Sequence, residues 1–308
     1  MSAPSLPDGF CFFERGWLSC NTLLIHDSDH AVIFDTGYFL HATQLHKLIL
    51  SQISSQPVDL IVNSHLHSDH CGGNYFLQHA YDQVGIQIST GQFSDVMTWN
   101  TSALTYQGSG QTCPRFKPNR HLTATSTLIT AGYEWQIHAA PGHDNDEFIF
   151  FEPENRILFS ADALWESGLG VVFPEFLGGV GFENVAQTLD LIESLNPQVV
   201  LPGHGSAFVD AHQAIGRVHQ RLEQFTQHPE THAHYSAKVL LKFRLLEIQT
   251  SSLHAFIEWA TNVELLQLIH ERFFSDLELS KWLSLLIDEL IIRNAAIVRD
   301  ETIFNQSD

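Results

Sequence analysis

The chain has 308 residues, 44% of them hydrophobic, enough for a packed core and suited to one large domain with a smaller one attached. Thirty-five acidic residues against fifteen basic ones give a formal net charge of −20, which works against a surface built to neutralise phosphates. No uninterrupted apolar run reaches membrane-spanning length, and the opening MSAPSLPDGF has neither a basic start nor an apolar signal core, so a cytoplasmic chain with no membrane partner is expected.

In chain order, strand-like runs come first at Thr22–His26 and Ala31–Phe34, separated by the turn-prone Asp27-Ser28-Asp29. Leu40, Leu45, Leu48, Ile49 and Ile53 then recur at near-helical spacing until Pro57 breaks the pattern. The apolar Leu60-Ile61-Val62 reads as a buried strand, and the stretch VNSHLHSDHCGGN begins at its end. His65 and His67 alternate there and can converge on one metal, while Asp69 and His70 can reach a second. Neutral imidazoles and carboxylates suit zinc, iron or manganese, and such sites are catalytic when a coordination position stays open. A solvated His-rich loop is the plainer alternative; the spacing favours the metal.

Residues 91–120 interrupt the regular pattern with Gly91, Gly108, Gly110, Pro114 and Pro118, interspersed with Trp99, Tyr106 and Phe116. Such a segment is either a wall of a substrate pocket, with Trp99 and Tyr106 facing it, or a surface excursion packing its aromatics underneath. Strands are expected near 127–130, 135–140, 147–151, 156–160 and 198–201, with a helix near 182–195. Three of these strands lead into a single His or Asp: Pro141-Gly142-His143, Ser160-Ala161-Asp162-Ala163 and Leu201-Pro202-Gly203-His204-Gly205. One such residue alone is ordinarily a cap or turn. Their repetition, each beside small residues that permit close approach, points to a shared site.

The ordered set FDTG (34–37), HLHSDH (65–70), PGH (141–143), the Asp of SADAL (162) and PGHG (202–205) resembles the metallo-β-lactamase superfamily of metal-dependent hydrolases. The resemblance spans most of residues 20–205. It implies an α/β fold, a four-layer αββα sandwich with the ligands at one edge, where periodicity alone gives only a mixed α/β chain. It also implies that His65, His67 and His143 hold one metal, that Asp69, His70 and His204 hold a second, and that Asp162 bridges them. Two divalent ions are expected, with zinc first and iron or manganese as alternatives. Asp35 in FDTG is expected to orient bound imidazoles rather than to bind. A hydroxide shared by the ions would attack a carbonyl, since bound water falls from a pKa of about 15.7 toward roughly 7, and Asp69 could relay a proton.

The same resemblance narrows the substrate. SADALWESGLGVVFPEF (160–176) is similar to the matching segment of glyoxalase II-type thioesterases, but there a basic residue follows Gly-x-Gly to hold glutathione, whereas Gly168-Leu169-Gly170 here leads into Val171-Val172. Asp162 argues against antibiotic hydrolysis, because true β-lactamases lack a bridging aspartate there. His67 excludes the flavodiiron pattern, which has Glu at that position. The expectation is an ester, lactone or thioester on a fairly apolar small molecule, lined by Trp165, Phe173 and Phe176. The alternatives are a mononuclear iron persulfide dioxygenase, on His65, His143 and Asp162, and an endoribonuclease, which the acidic balance disfavours. A metal-bearing binding or regulatory protein ranks last.

Past residue 210 the composition turns helical, placing a catalytic domain at 1–210 and a helical, winged-helix-like domain at 211–308. Val239–Ile248 and His254–Ile269 read as amphipathic helices. Ser280–Arg293 reads as another, and Ala295–Arg299 with Glu301–Phe304 as a hairpin. This part is expected to serve packing or a homodimer rather than DNA. His232 and His234 read as a solvated His-Ala-His turn. Cys11, Cys20, Cys71 and Cys113 lack metal-type spacing and imply no disulfides; Cys71 is expected as a small buried filler.

Overall fold

The computed structural model describes residues 4–306. The chain divides into two compact units, one containing the residues through Leu104 together with Thr112–Leu222, the other Thr105–Gln111 together with the residues from Glu223 onward.

The first unit is built on two sheets. One has the strand order β1 (Phe10–Phe13), β2 (Thr22–His26), β3 (Ala31–Phe34), β4 (Leu60–Val62), β5 (Gly85–Ser89) and β6 (Arg120–Leu122). Strands β1 to β3 are antiparallel and β3 to β6 parallel. In the other sheet, β11 (Val199–Pro202), β10 (Ile157–Ala161), β9 (Phe148–Glu152), β8 (Tyr133–Ala139) and β7 (Thr127–Thr130) are neighbours in that order, and only the β10–β11 pair is parallel.

Strand alternation explains how the sheets stack. Leu23, Ile25, Val32, Phe34, Leu60 and Val62 of the first sheet form one core with Trp135, Ile137, Phe148, Phe150, Ile157 and Phe159 of the second. The intervening residues Ile149, Phe151, Leu158 and Val200 point to the opposite face of the second sheet. There they pack on α6 (Gly181–Leu195) through Val185, Leu189 and Ile192, and on α7 (Ala211–Gln227) through Ala214, Ile215 and Val218. Leu24, Ile33 and Ile61, on the outer face of the first sheet, are likewise fully buried, as are Leu45 and Ile49 of the helix at Ala42–Ile53. Runs such as FIFF are apolar at every position because both faces are covered. Each buried Leu, Ile or Phe contributes about 1.5–3 kcal/mol. The result is the expected four-layer αββα sandwich.

Several elements were not apparent from periodicity. β1, β5 and β6 are short, and each is paired along its length with a longer-range partner. The segment 91–120 contains two short helices, Phe93–Thr98 and Tyr106–Ser109. The expected helix His254–Ile269 is two helices, Leu253–Thr261 and Glu264–Phe273. The break falls at Asn262, whose amide donates to the Glu258 carbonyl (2.7 Å), and Val263 is extended. An Asn side chain that bonds a backbone carbonyl competes with the helix in this way.

In the second unit a helix runs over Pro229–Ile248, starting on a proline that needs no donor partner. Strand Thr302–Asn305 pairs antiparallel with both Thr250–Ser252 and Ala296–Arg299, so the expected hairpin gains a third strand. The solvated His-Ala-His turn is overturned. His232 is buried within the helix, its ring 4.8 Å from that of Phe225, and His234 pairs with Glu289 at 2.9 Å. The helix turns His232 inward and leaves His234 half-buried on another face, because its register, not the polarity of histidine, decides which face is covered.

Burial pushes the His232 pKa down to about 3. Its unfolded value is near 6.5, so the unfolded chain takes up the proton first as pH falls. Stability from this residue is therefore intact above about pH 6.5 and declines toward pH 3, by about 1.4 kcal/mol per pH unit. Thermal unfolding at pH 7 and pH 5 should show a smaller acid penalty in His232→Phe than in the parent chain.

Candidate metal centre

Five strand ends bring the predicted residues together. β3, β4, β8, β10 and β11 all run toward one edge of the sandwich, and Asp35, the 63–71 segment, His143, Asp162 and His204 follow their C-terminal ends. Ligand-bearing loops commonly gather at carboxyl ends of strands. His67 is extended, and Ser68–Cys71 then closes one helical turn, with the His70 and Cys71 amides donating to the His67 carbonyl. This switch from strand to helix places Asp69 and His70 beyond the His65–His67 pair. Two residues near the edge hold left-handed backbone without being glycine, Asp35 (φ 56°) and Ala161 (φ 45°), a strain often stored at functional sites.

Hydrogen bonds fix which ring nitrogens face the centre. Asp35 Oδ2 accepts from His70 Nδ1 (2.8 Å) and from the Ser64 hydroxyl (2.7 Å), while Oδ1 accepts from the Ser64 amide (2.8 Å). Because the Ser64 hydroxyl donates to Asp35, its oxygen accepts from His65 Nδ1 (3.0 Å). His143 Nδ1 donates to the Val171 carbonyl (2.7 Å). The Nε2 atoms of His65, His70 and His143 are thereby turned toward the centre as the nitrogens available to a metal. Asp35 thus orients imidazoles, and its own distance from the centre is set by Ser64 and His70.

The ring nitrogens converge. His67 Nδ1 lies 3.0 Å from His65 Nε2 and 2.7 Å from His143 Nε2. His204 Nε2 lies 3.1 Å from Asp69 Oδ2. Asp162 divides between the two groups, with Oδ2 3.4 Å from His143 Nε2 and Oδ1 3.4 Å from His70 Nε2 and 3.9 Å from His204 Nε2. Ligands at 2.0–2.2 Å around a tetrahedral ion sit roughly 3.3–3.6 Å apart. Each trio, His65–His67–His143 and Asp69–His70–His204, gathers its ligand atoms within 4.8 Å of one another, near that spacing, with the His67 and His204 contacts somewhat shorter. His70 Nε2, fully buried, makes no hydrogen bond among the described residues. A buried ring nitrogen left unpartnered between carboxylates fits a cation, and the predicted donor set accordingly fits divalent ions.

The electrostatics agree. Burial holds the His67 and His143 pKa values down at about 4 and that of His65 well below its ordinary value, so these three are neutral at ordinary pH. Burial alone would raise Asp69 and Asp162, but the imidazoles of His70 and His204 outweigh it and both carboxyls stay ionised. His70 goes the other way. Burial opposes its charge, yet the carboxylates of Asp162, Asp35 and Asp69 beside it raise its pKa well above the ordinary value. Without a metal ion the surrounding carboxylates hold a proton on that imidazole, at the position a bound cation would compensate.

Two glycines allow this density. A Cβ on Gly203 would meet Asp162 Oδ1 at 2.2 Å, and one on Gly170 would meet His143 Nδ1 at 2.3 Å. Of the predicted pocket aromatics, Trp165 donates from Nε1 to Asp162 Oδ1 (3.2 Å), and Phe173 lies 5.3 Å from the His67 ring and 5.7 Å from that of His143. Trp99 instead packs edge-on to Phe116, and Tyr106 is buried in a helix of the second unit.

Four residues at the edge escaped sequence reasoning. Glu147, fully buried, accepts the Asp162 amide (2.9 Å) and lies 4.0 Å from His65 Nδ1, and burial beside Asp162 raises its pKa well above the carboxylate range. Its signal was present, a carboxylate opening the apolar run FIFF. Asp144 approaches His67 Nε2 at 3.6 Å. Cys20 joins Asp35 and His70, its thiol pushed up to about 11 by burial and so kept protonated. Trp17 stacks on His204 at 5.3 Å. Neither Cys20 nor Trp17 sits in a recognisable pattern.

A profile of the Metallo-beta-lactamase superfamily matches residues 15–204. Acyl-coenzyme A thioesterase MBLAC2 of Homo sapiens is 24% identical over 229 residues, covering 66% of this chain and 81% of the relative. Hydroxyacylglutathione hydrolase of a Synechococcus strain is 28% identical over 153 residues, covering 49% and 51%. The crystal structure of a metallo-beta-lactamase family protein from Thermus thermophilus superposes with a TM-score of 0.56 at 18% identity, covering 98% of this chain and all of that one, a likeness of fold. With the matched profile spanning more than half of its length and all the convergent histidines and aspartates inside that span, this chain belongs to the metallo-beta-lactamase superfamily and is a metal-dependent hydrolase.

Proposed function

We propose that the chain hydrolyses a thioester or related ester of an apolar small molecule at a dinuclear centre, with zinc as the resident metal. The observation that carries this reading is the division of Asp162. Its two oxygens face different imidazole groups, Oδ2 toward His143 and Oδ1 toward His70 and His204, as a carboxylate shared by two ions would. His65, His67 and His143 would hold one ion, and Asp69, His70 and His204 the other. An all-nitrogen and oxygen donor set with no thiolate suits zinc. When bound, the pair supplies water acidified toward neutral pH and a Lewis acid for the carbonyl oxygen.

The residues around the centre have separable tasks. The Trp165 indole holds Asp162 Oδ1 in place, and the Glu147 carboxyl holds its backbone from behind. Asp69 is ionised and among the more accessible of the buried ligands, at 8% exposure, so its carboxylate is placed to take the proton that water releases and pass it to the departing sulfur or oxygen. In the net reaction the carbonyl carbon gains a hydroxyl, its bond to sulfur or oxygen breaks, and the proton ends on the leaving group. The named thioesterase and hydroxyacylglutathione hydrolase relatives support the thioester class. Val171-Val172, in place of a basic residue after Gly170, speaks against glutathione as its carrier.

Elemental analysis of the purified protein should give close to two zinc ions per chain. Close to one iron and no second ion would overturn the dinuclear reading. His67→Ala and Asp162→Ala should each lose metal and thioesterase activity together, and full turnover in either would sink the mechanism. Asp35→Asn should bind metal roughly 10–100-fold more weakly, because the amide cannot accept from both Ser64 and His70 as the carboxylate does; competition with a chromogenic chelator measures this directly.

A further inference from the structure

Trp17 is 59% exposed, yet its position is closely determined. Its indole lies parallel to the His204 ring, 5.3 Å away with 11° between planes, and Trp165 meets it edge-on at 5.5 Å. The turn that carries it is tied to both metal loops. The Cys20 amide donates to the Asp69 carbonyl (3.0 Å), and the Asn21 amide donates to that of Gly203. The Asn21 side chain donates to the Pro202 and Gly205 carbonyls at 2.9 and 2.7 Å, and accepts from the Arg15 amide at 2.7 Å. Ser19 Oγ accepts from the Tyr38 amide at 3.0 Å.

A large apolar ring held open to water on a fixed turn gains nothing for folding from its outer face. Trp135 and Trp282, by contrast, are at 0% and 2% exposure. With one face of Trp17 against a predicted ligand and one edge against Trp165, the open area is the outer face, beside the centre. An indole there offers a flat, low-entropy surface whose best partner is another ring.

We propose that Trp17 is a specificity-determining residue that selects substrates carrying an aromatic ring, which packs on its exposed face while the scissile carbonyl reaches the centre. This rests on the thioester reading above and goes beyond it in naming the substrate class. The ring belongs either to the acyl group or to the leaving thiol, and the chemistry of recognition is the same.

The test compares three thioesters in the metal-loaded full-length protein: the acetyl and benzoyl thioesters of N-acetylcysteamine, and S-phenyl thioacetate. Trp17→Ala should lower the kcat/KM of one or both aryl substrates relative to the acetyl reference by about tenfold, through KM, and Trp17→Phe should restore most of it. The substrate that responds identifies which side carries the ring. If Trp17 served only to orient His204, the three substrates would fall together through kcat and metal content would drop; that outcome overturns the proposal. Calorimetric binding of a benzyl thioether that cannot be hydrolysed separates this inference from the reading beneath it. Binding weakened about tenfold in Trp17→Ala, with no thioester turned over by the parent, would leave the aromatic site standing and remove the thioester reading. Turnover of all three with unchanged ratios in Trp17→Ala would do the reverse.

Discussion

Everything at the strand edge depends on one buried carboxylate. Asp35 closes β3 and reaches across to β4, accepting from Ser64 through both amide and hydroxyl and from His70 through its ring. The Ser64 hydroxyl, committed as a donor to Asp35, then accepts from His65. One side chain outside the ligand set therefore fixes the tautomers of two imidazoles that lie in different trios. Neutral imidazole presents a lone pair on one nitrogen only, so this arrangement decides whether the pocket faces a cation with lone pairs or with protons. The left-handed backbone at Asp35 belongs to the same constraint, since it turns the carboxylate from the end of its own strand toward the neighbouring one.

The second constraint is density. Five imidazoles and two carboxylates at the edge are each 8% exposed or less. They fit because the loops behind them lack side chains at Gly170 and Gly203. Such a cluster is unfavourable by itself: the histidines are held from their protons by burial, the aspartates are held ionised, and His70 retains a proton only because of the negative charge around it. Divalent ions relieve all three conditions at once. The same burial would give bound water a weakly screened electrostatic environment, which would strengthen the polarisation that ions held by these residues supply. Aromatic side chains border the cluster on both sides, Phe173 by His67 and His143, Trp17 and Trp165 by His204. The approach to the centre is therefore apolar, in keeping with the proposed substrate.

Much of this was legible in the amino-acid order. Ligands in this fold lie directly after strands, so a run such as Leu60-Ile61-Val62 followed by HLHSDH shows both the element and its chemistry within a dozen residues. His143, Asp162 and His204 were legible for the same reason, each beside a glycine or alanine. Trp165 and Phe173 lie close in the chain to Asp162 and stand near the cluster. Trp99 and Tyr106 were grouped with them only because their segment looked irregular, and irregularity carries no direction: one packs on Phe116 and the other is buried in the second unit. His232 was misjudged because polarity was weighed against a short turn, whereas a helix of twenty residues sets its own inward face.

By itself the sequence determined which histidines and aspartates gather at this edge, the strands that deliver them and the superfamily, because these are written as local patterns of residue type and spacing. Tertiary structure alone decided which nitrogen of each histidine faces the centre, how Asp162 is shared between the two trios, and that Glu147, Cys20 and Trp17 belong to this edge. Each of those depends on contacts between residues distant in the chain, such as Trp17 with His204 or Asp35 with His70. No periodicity records such contacts, because they arise only when two sheets stack and five strand ends meet.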